Sequence, residues 1–172
     1  MKKKIAIFFD RDGVLIEAPI LDGKPQSTRE LKDIKLCKDI SKLCKKYKKE
    51  YLLIMVTNQP DYLRKKNTKK NIQIINQYLK KKLSLDDIYV CYSDDDNCYN
   101  RKPNPGMIYD AQKKYNIDLK KSYFIGDRWR DIGAGNKAKC ITIFINRNYS
   151  EKNIFKAKFN VKEINEILKI IK

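Results

Sequence analysis

The chain has 172 residues, of which 42% are hydrophobic and 35% are charged. This composition favours a single folded domain, expected to span residues 1–172, and excludes a disordered chain. The 39 basic and 21 acidic residues give a net charge of +18, and there is no histidine. Acid–base chemistry near neutral pH must therefore use carboxylates, Lys, Tyr or Cys.

Apolar stretches in the chain are short. The run at residues 5–9 ends at Asp10 and is too short for an export signal, and no stretch approaches the roughly 18 apolar residues of a membrane span. The five cysteines are scattered and odd in number, which is typical of free thiols in a reducing compartment. We therefore expect a cytoplasmic protein without a membrane partner. A monomer is the default expectation, because no obligate interface is evident in the sequence.

Five apolar runs predict β-strands at residues 5–9, 51–56, 88–92, 123–125 and 141–145. Stretches of helical length separate them, near residues 38–49, 68–83, 105–116 and 130–138. A final helix is predicted by the spacing of Val161, Ile164, Ile167, Leu168 and Ile171. Continuous apolar strands that alternate with helices are typical of a mostly parallel sheet covered on both faces. The sequence thus predicts one α/β domain of the open-sheet type.

Polar residues follow four of the predicted strands. They are Asp10, Arg11 and Asp12; Thr57, Asn58 and Gln59; Arg101 and Lys102; and Asp127 and Arg128, with Asp131 one helical turn later. In open α/β sheets, ligands bind beyond the carboxyl ends of the strands. We therefore expect these side chains to form one site.

The residue types at these positions suit phosphoryl transfer. Asp10 and Asp127 would form a hard oxygen site for Mg²⁺, which offsets the repulsion between buried acids. Thr57 supplies a hydroxyl group and Lys102 a compact positive charge, and together they would cradle a phosphoryl group. A metal ion, a carboxylate nucleophile, a hydroxyl donor and a lysine are together typical of enzymes that transfer phosphoryl groups. Asp12, which lies beside the nucleophile, would then be the acid–base residue.

Each motif alone also has a structural explanation. Thr57 or Asn58 is a candidate helix N-cap, "RKP" is a candidate solvated turn, and Asp131 is favourable near a helix N-terminus. The four motifs nevertheless occur in order, each where a strand is predicted to end. Their conjunction favours the catalytic interpretation.

These motifs resemble those of the haloacid dehalogenase superfamily, in which "FFDRDG" is the first motif and "GDRWRD" the fourth. The resemblance implies a Rossmann-like three-layer sandwich with a central, mostly parallel sheet and no large cap domain, since residues 16–30 are too few for one. It implies Asp10 as the nucleophile that forms an aspartyl-phosphate and Asp12 as general acid and base. Mg²⁺ would be held by Asp10, Asp127 and the backbone carbonyl of Asp12, with support from Asp131.

Within the superfamily, "DRDGVL", "VTNQ" and "RKPNPGM" resemble the cap-less branch that contains histidinol phosphatase and heptose 1,7-bisphosphate phosphatase. The substrate-binding candidates are Arg11, Asn58, Gln59, Arg101 and Arg128. Of these, Arg101 is suited by its planar fork to clamp a second phosphate.

That branch usually carries a zinc-binding loop just before "RKP". Here Cys91 and Cys98 hold two of the ligand positions, but Ser93 replaces the histidine and Asn100 the last cysteine. Two thiolates do not close a tetrahedral zinc site, and serine and asparagine are poor zinc ligands. We expect no structural zinc, with substitution by an acid of residues 94–96 as the alternative.

The expected function is Mg²⁺-dependent hydrolysis of a small phosphorylated metabolite, a heptose or related sugar bisphosphate used for surface-polysaccharide precursors. The alternatives are a histidinol phosphatase, a nucleic-acid 3′-end phosphatase and a non-catalytic binding protein. A nucleic-acid partner is not expected, because the surplus lysines are spread along the chain and fit a compositional bias. Clustered bases and stacking aromatics near the site would favour that partner; the aromatic candidates are Tyr62, Tyr92 and Tyr99.

Overall fold

The sheet is built around strand β1 (Ala6–Phe9), whose four residues are all buried. A computed structural model describes residues 3–152 and 154–172. The other strands are β2 (Ile20–Leu21), β3 (Lys24–Pro25), β4 (Leu52–Asn58), β5 (Asp87–Cys91), β6 (Tyr123–Gly126), β7 (Ile141–Ile145) and β8 (Phe159–Val161). The helices are α1 (Ile40–Tyr47), α2 (Lys69–Leu83), α3 (Gly106–Tyr115), α4 (Trp129–Lys137) and α5 (Ile164–Ile167).

Six strands form one parallel sheet in the order β5-β4-β1-β6-β7-β8. The last residue of β1, Phe9, is in register with Met55 of β4 on one side and Ile125 of β6 on the other. The carboxyl ends of these three strands therefore meet at one edge. The predicted parallel sheet is confirmed.

Helices cover both faces of the sheet because side chains alternate along β1. Ile7 and Phe9 pack into one apolar cluster with residues of α1, α2 and α5. Ala6 and Phe8 pack into a second cluster with residues of α3 and α4. Both faces of a parallel strand must be buried in this way, which explains its continuous apolar sequence. The predicted three-layer sandwich is confirmed.

Helix α2 illustrates how the sequence sets a helix. Its buried apolar residues Ile72, Ile75, Leu79 and Leu83 are three or four positions apart and form one stripe. The hydroxyl oxygen of Thr68 accepts a hydrogen bond from the Asn71 amide and caps the first turn. The predicted helix at residues 68–83 is therefore present.

Two parts of the fold differ from the sequence-based prediction. Val161, assigned to a final helix, lies in β8 and is in register with Ile145 of β7. The edge of β7 supplies the backbone hydrogen bonds that Val161 would otherwise make within a helix. The final helix is therefore limited to Ile164–Ile167. The short antiparallel pair of β2 and β3 was also not predicted.

The connection from β1 to α1 is small. It contains β2, β3 and a single 3₁₀ turn at Leu31–Asp33. No large cap domain is thus present among the residues described, as predicted. In the same ranges, no helix is long and apolar enough to cross a membrane.

Phe8→Ala should lower the free energy of unfolding by about 3–5 kcal/mol. Phe8 is fully buried, and its ring stacks on Phe124 with centroids 6.2 Å apart. Urea unfolding monitored by circular dichroism measures the change. Tyr78→Ala, at a position on α2 that is 39% exposed, is the control and should cost less than about 1 kcal/mol. Equal losses in the two variants would contradict the proposed position of the core.

Candidate active site

An ion network joins the ends of neighbouring strands. Asp10 directly follows β1, and the ammonium of Lys102 reaches it from the loop after β5, with Nζ 2.5 Å from Asp10 Oδ1. The same Nζ donates to Asp131 Oδ1 at 2.7 Å and to the Val56 carbonyl at 2.9 Å. All three charged side chains are buried. The three donors of the ammonium are therefore matched by three acceptors.

The charges of this network shift the pKa values of its members. Burial alone would lower the pKa of Lys102, but Asp10 and Asp131 outweigh it and raise the pKa above its usual value. Burial raises the pKa of Asp10 to about 6, although Lys102 opposes the shift. Burial, together with Asp131 and Asp10, raises the pKa of Asp127 well above its usual value. One lysine thus leaves an excess of negative charge, which suits a divalent cation.

The carboxylates of Asp10, Asp127 and Asp131 offer oxygen atoms that all lie within 4.8 Å of one another. Asp127 Oδ2 accepts a hydrogen bond from the Tyr149 hydroxyl at 2.7 Å, whereas its Oδ1 is buried without a hydrogen-bond partner. An unpartnered buried carboxylate oxygen is costly unless a cation contacts it. The donor set therefore fits Mg²⁺, which prefers oxygen ligands. A contribution from the Asp12 carbonyl stays a prediction.

The backbone of the first motif passes very close to the carboxylate of Asp127. Gly13 has φ +91°, and a Cβ atom at this position would lie 1.8 Å from Asp127 Oδ2 and 2.8 Å from the Tyr149 hydroxyl oxygen. Only glycine combines this conformation with this approach. The "DRDG" turn is therefore part of the geometry of the acidic cluster.

The carboxylate of Asp12 is held by donors on both oxygens. Oδ1 accepts from the Thr28 amide at 2.9 Å and from Arg11 Nη2 at 3.3 Å. Oδ2 accepts from Arg11 Nε and Gln59 Nε2, both at 3.0 Å. These four hydrogen bonds fix the orientation of the carboxylate.

Arg11 lies underneath the site. Its side chain is fully buried, and besides Asp12 it donates to Asn76 Oδ1, Gln59 Oε1 and the Thr28 carbonyl. Because internal acceptors use its donors, the contacts of Arg11 weigh against a role in substrate binding, which stays a prediction. Arg11 instead ties Asp12 to helix α2 through Asn76.

The residues after β4 support the catalytic candidates. Gln59 is fully buried and donates to Thr57 Oγ1 as well as to Asp12, so it too faces protein atoms where a substrate contact was predicted. Asn58 donates to the Lys102 carbonyl at 3.0 Å and accepts from the Lys102 amide at 3.1 Å. This pair of bonds fixes the backbone of Lys102.

Two predicted substrate contacts, Arg101 and Arg128, are paired with acids. Arg101 Nε donates to Asp96 Oδ1 at 2.9 Å, and Arg128 donates to both oxygens of Glu151 at 2.7 Å. The pocket above the nucleophile is lined by Asp10, Asp12, Pro25, Gln26, Ser27, Asn58, Lys102, Arg128, Arg130 and Asp131. Arg101 is not among these residues.

Several residues of the site were missed by sequence reasoning. They are Thr28, Asn76, Arg130, Tyr149 and Glu151. Arg130 lies inside the "GDRWRD" motif, so its position was a usable signal. The other four come from segments without a local motif, and only the tertiary fold brings them to the site.

The loop after β5 is organised by hydrogen bonds. The Cys91 and Cys98 sulfur atoms lie 3.9 Å apart, and Arg101 Nη1 donates to the Ser93 carbonyl at 2.7 Å. Of the acids considered as substitute zinc ligands, Asp94 pairs with Arg64 and Asp96 with Arg101 and Arg130. Asp95 accepts from the Asn97 amide. These pairings weigh against a mixed oxygen–thiolate site.

Comparison with known proteins agrees with this geometry. The family described as "Polynucleotide kinase 3 phosphatase" matches residues 4–139. A D-glycero-alpha-D-manno-heptose-1,7-bisphosphate 7-phosphatase from Campylobacter jejuni is 33% identical, with 95% of each chain covered. A D-glycero-beta-D-manno-heptose-1,7-bisphosphate 7-phosphatase from Helicobacter pylori is 36% identical, with 81% of this chain and 82% of that protein covered.

A solved structure shares the fold. The D,D-heptose 1,7-bisphosphate phosphatase from B. bronchiseptica, complexed with magnesium and phosphate, superposes with a TM-score of 0.79 at 20% identity. The match covers 96% of this chain and 99% of that one. The chain therefore belongs to the polynucleotide kinase 3 phosphatase family of the haloacid dehalogenase superfamily, in the branch of the heptose bisphosphate phosphatases, and is a phosphatase.

Proposed function

We propose that the protein is a Mg²⁺-dependent heptose 1,7-bisphosphate phosphatase that acts through an aspartyl-phosphate on Asp10 and supplies a precursor of surface polysaccharide. The whole chain, residues 1–172, would form the catalytic domain. The observation that carries the proposal is the buried contact of Lys102 with Asp10 and Asp131, beside the unpartnered oxygen of Asp127. The names of the relatives from Campylobacter jejuni and Helicobacter pylori support the substrate.

In the first step, the carboxylate of Asp10 attacks the phosphorus atom of the substrate. A bond forms between an Asp10 oxygen and phosphorus, the bond from phosphorus to the sugar oxygen breaks, and a proton from Asp12 passes to that sugar oxygen. Lys102 orients Asp10 through its Oδ1. Because Thr57 Oγ1 accepts from Gln59, the hydroxyl hydrogen of Thr57 is available to a phosphoryl oxygen.

In the second step, water attacks phosphorus and the phosphoryl bond to Asp10 breaks. Asp12 takes a proton from this water, which regenerates both acids and releases inorganic phosphate. The donors from Arg11, Gln59 and Thr28 hold the Asp12 carboxylate in place for this proton transfer.

Asp10, Asp127 and Asp131 would hold the metal ion. When bound, Mg²⁺ supplies positive charge that stabilises the phosphoryl oxygens as charge develops on them. Lys102 adds its own positive charge at Asp10 Oδ1 and would keep the nucleophile in place when the metal is bound.

A second candidate is a nucleic-acid 3′-end phosphatase, which the description of the matched family favours. Tyr62 and Tyr92 pack edge to face with centroids 5.5 Å apart, and the Lys69 ammonium lies 5.4 Å from the Tyr92 ring. Tyr99 is 57% exposed. Aromatic and basic groups of this kind bind single strands.

Phosphate release from a panel of compounds separates these candidates. The panel holds heptose 1,7-bisphosphate, heptose 7-phosphate, histidinol phosphate and a 3′-phosphorylated oligonucleotide, each with Mg²⁺ or with a chelator. We expect the highest kcat/KM for the heptose bisphosphate, with activity lost in the chelator. The highest kcat/KM for the oligonucleotide would instead establish the second candidate.

Asp10→Asn should lower kcat at least about a thousandfold, because it removes the nucleophile. Asp94→Asn is a matched control, since Asp94 is an acid whose partner, Arg64, lies outside the pocket. Steady-state phosphate release measures both variants. Activity in Asp10→Asn within tenfold of the original protein would refute the assignment of the nucleophile.

Asp127→Asn should weaken Mg²⁺ binding at least about tenfold, because it removes one charge from the oxygen site. Titration calorimetry with MgCl₂ in the absence of substrate measures the affinity directly. Asp94→Asn again serves as the control and should bind Mg²⁺ like the original protein. An unchanged affinity in Asp127→Asn would place the ion elsewhere.

Arg11→Met should lower the free energy of unfolding by about 3 kcal/mol, because Asp12 loses its charged donor and the side-chain oxygens of Asn76 and Gln59 lose their bonds from Arg11. Arg29→Met, at an arginine whose side chain is 42% exposed and pairs with Asp61, is the control and should cost about 1 kcal/mol or less. Urea unfolding and steady-state kinetics are measured together. A raised KM without loss of stability would restore Arg11 as a substrate-binding residue.

A further inference from the structure

Two thiols face each other in the loop after β5, and the mechanism proposed above uses neither. Cys91 is the last residue of β5, and Cys98 lies four residues before Lys102. The two sulfur atoms are 3.9 Å apart. This separation is close to van der Waals contact, so a covalent bond between the sulfurs needs only a small shift of the turn around Cys98.

The two thiols have different surroundings. Cys91 is buried, and burial raises the pKa of its thiol to about 11. Cys98 is half-buried, and its thiol pKa is lowered, first by a hydrogen bond from the Asn100 amide and then by the side chains of Cys91 and Ser93. Because the thiolate is the nucleophilic form of cysteine, Cys98 is the more reactive of the two.

The other three cysteines differ from this pair. Cys37, Cys44 and Cys140 are buried, and burial raises the pKa of each thiol to about 12. Thiols of this kind react slowly with oxidants, because they are protonated and shielded from solvent. An oxidant should therefore react first at Cys98.

The backbone around the pair connects it to the active site. Cys91 is held at the strand end, where its carbonyl accepts a hydrogen bond from the Gln59 amide at 2.7 Å. Cys98 lies in a turn, and its carbonyl accepts from the Arg101 amide at 3.0 Å. A bond between the two sulfurs would therefore join β5 to the turn that precedes Lys102.

We propose that Cys91 and Cys98 form a redox-active pair, which a hydroperoxide oxidises to a disulfide that clamps the loop carrying Lys102. In a reducing compartment such a disulfide is transient, because small thiols reduce it by exchange. The pair acts in the same way whichever phosphate ester the protein hydrolyses.

The oxidation proceeds in two steps. With hydrogen peroxide, the Cys98 thiolate attacks one oxygen atom, a sulfur–oxygen bond forms, the oxygen–oxygen bond breaks, and the departing hydroxide takes a proton to become water. The Cys91 sulfur then attacks the Cys98 sulfur, the sulfur–sulfur bond forms, and the sulfur–oxygen bond breaks. The second hydroxide takes the proton of the Cys91 thiol. Two thiols thus lose two electrons and two protons, and one peroxide becomes two waters.

Peptide mass spectrometry locates the oxidised residues directly. No lysine or arginine lies between residues 83 and 100, so trypsin releases both cysteines on one peptide, residues 83–101. The reduced protein is treated with hydrogen peroxide, and free thiols are then blocked with N-ethylmaleimide. We expect this peptide to appear unlabelled and two hydrogen atoms lighter, at least about tenfold faster than Cys37, Cys44 and Cys140 lose label. Dithiothreitol should restore both labels.

Equal rates of label loss at all five cysteines would overturn the proposal. So would accumulation of sulfinic acid at Cys98 without the disulfide, because that product forms only when Cys91 does not capture the intermediate.

Serine variants test the role of each thiol, and thermal unfolding verifies that each variant is folded. In Cys91→Ser, dimedone should label a sulfenic acid at Cys98 after peroxide treatment. In Cys98→Ser, Cys91 should react at least about tenfold more slowly. Cys140→Ser is the matched control and should form the disulfide like the original protein. Faster reaction of Cys91 than of Cys98 in these variants would overturn Cys98 as the attacking thiol.

Amide hydrogen exchange tests the clamp separately from the chemistry. In the oxidised protein, exchange in residues 92–100 should slow at least about threefold, whereas exchange in α2 should stay unchanged. Peroxide treatment of Cys91→Ser should leave the exchange of residues 92–100 unchanged. Equal or faster exchange of this loop in the oxidised original protein would overturn the clamp.

Discussion

The buried contact of Lys102 with Asp10 and Asp131 is the interaction on which the rest of the site depends. Three carboxylates approach one another at the carboxyl edge of the sheet. Such a cluster would be strongly unfavourable in a buried place without a cation. Lys102 supplies one positive charge and reduces the repulsion, while the unpartnered oxygen of Asp127 leaves a place for a second cation.

The sheet order makes this contact possible. With β1 between β4 and β6, the residues that follow these strands meet at one edge, and the loop after β5 brings Lys102 to them. Further hydrogen bonds fix the neighbouring groups. Asn58 holds the backbone of Lys102, and Arg11 holds the carboxylate of Asp12. A buried polar network is stable only when its members are satisfied, so these residues contribute through geometry.

The strands and the motif residues were predictable because their signals are local. A buried parallel strand is a continuous apolar run, and the polar residue after it marks the carboxyl edge. The partner of a charged side chain has no local signal. The sequence therefore suggested Arg11 and Gln59 as substrate contacts, whereas the fold buries both and directs them to Asp12.

The same reason explains the other differences. Val161 has helical spacing with the residues that follow it. It nevertheless lies in β8, because this segment pairs with the edge of β7. In the loop after β5, the sequence showed which zinc ligands are replaced, but not that Asp96 would bridge Arg101 and Arg130. Pairings between distant segments are set by the tertiary fold, which a single sequence does not reveal.

In the proposed mechanism, Asp10 is held by Lys102 and accepts the phosphoryl group. The most direct test is to quench the protein with acid during turnover of heptose 1,7-bisphosphate and reduce it with borohydride, which converts an acyl phosphate of aspartate to homoserine. Peptide mass spectrometry then locates the modified residue. We expect homoserine at position 10 and intact aspartate at position 12. Modification at Asp12, or turnover without any modified aspartate, would contradict this mechanism.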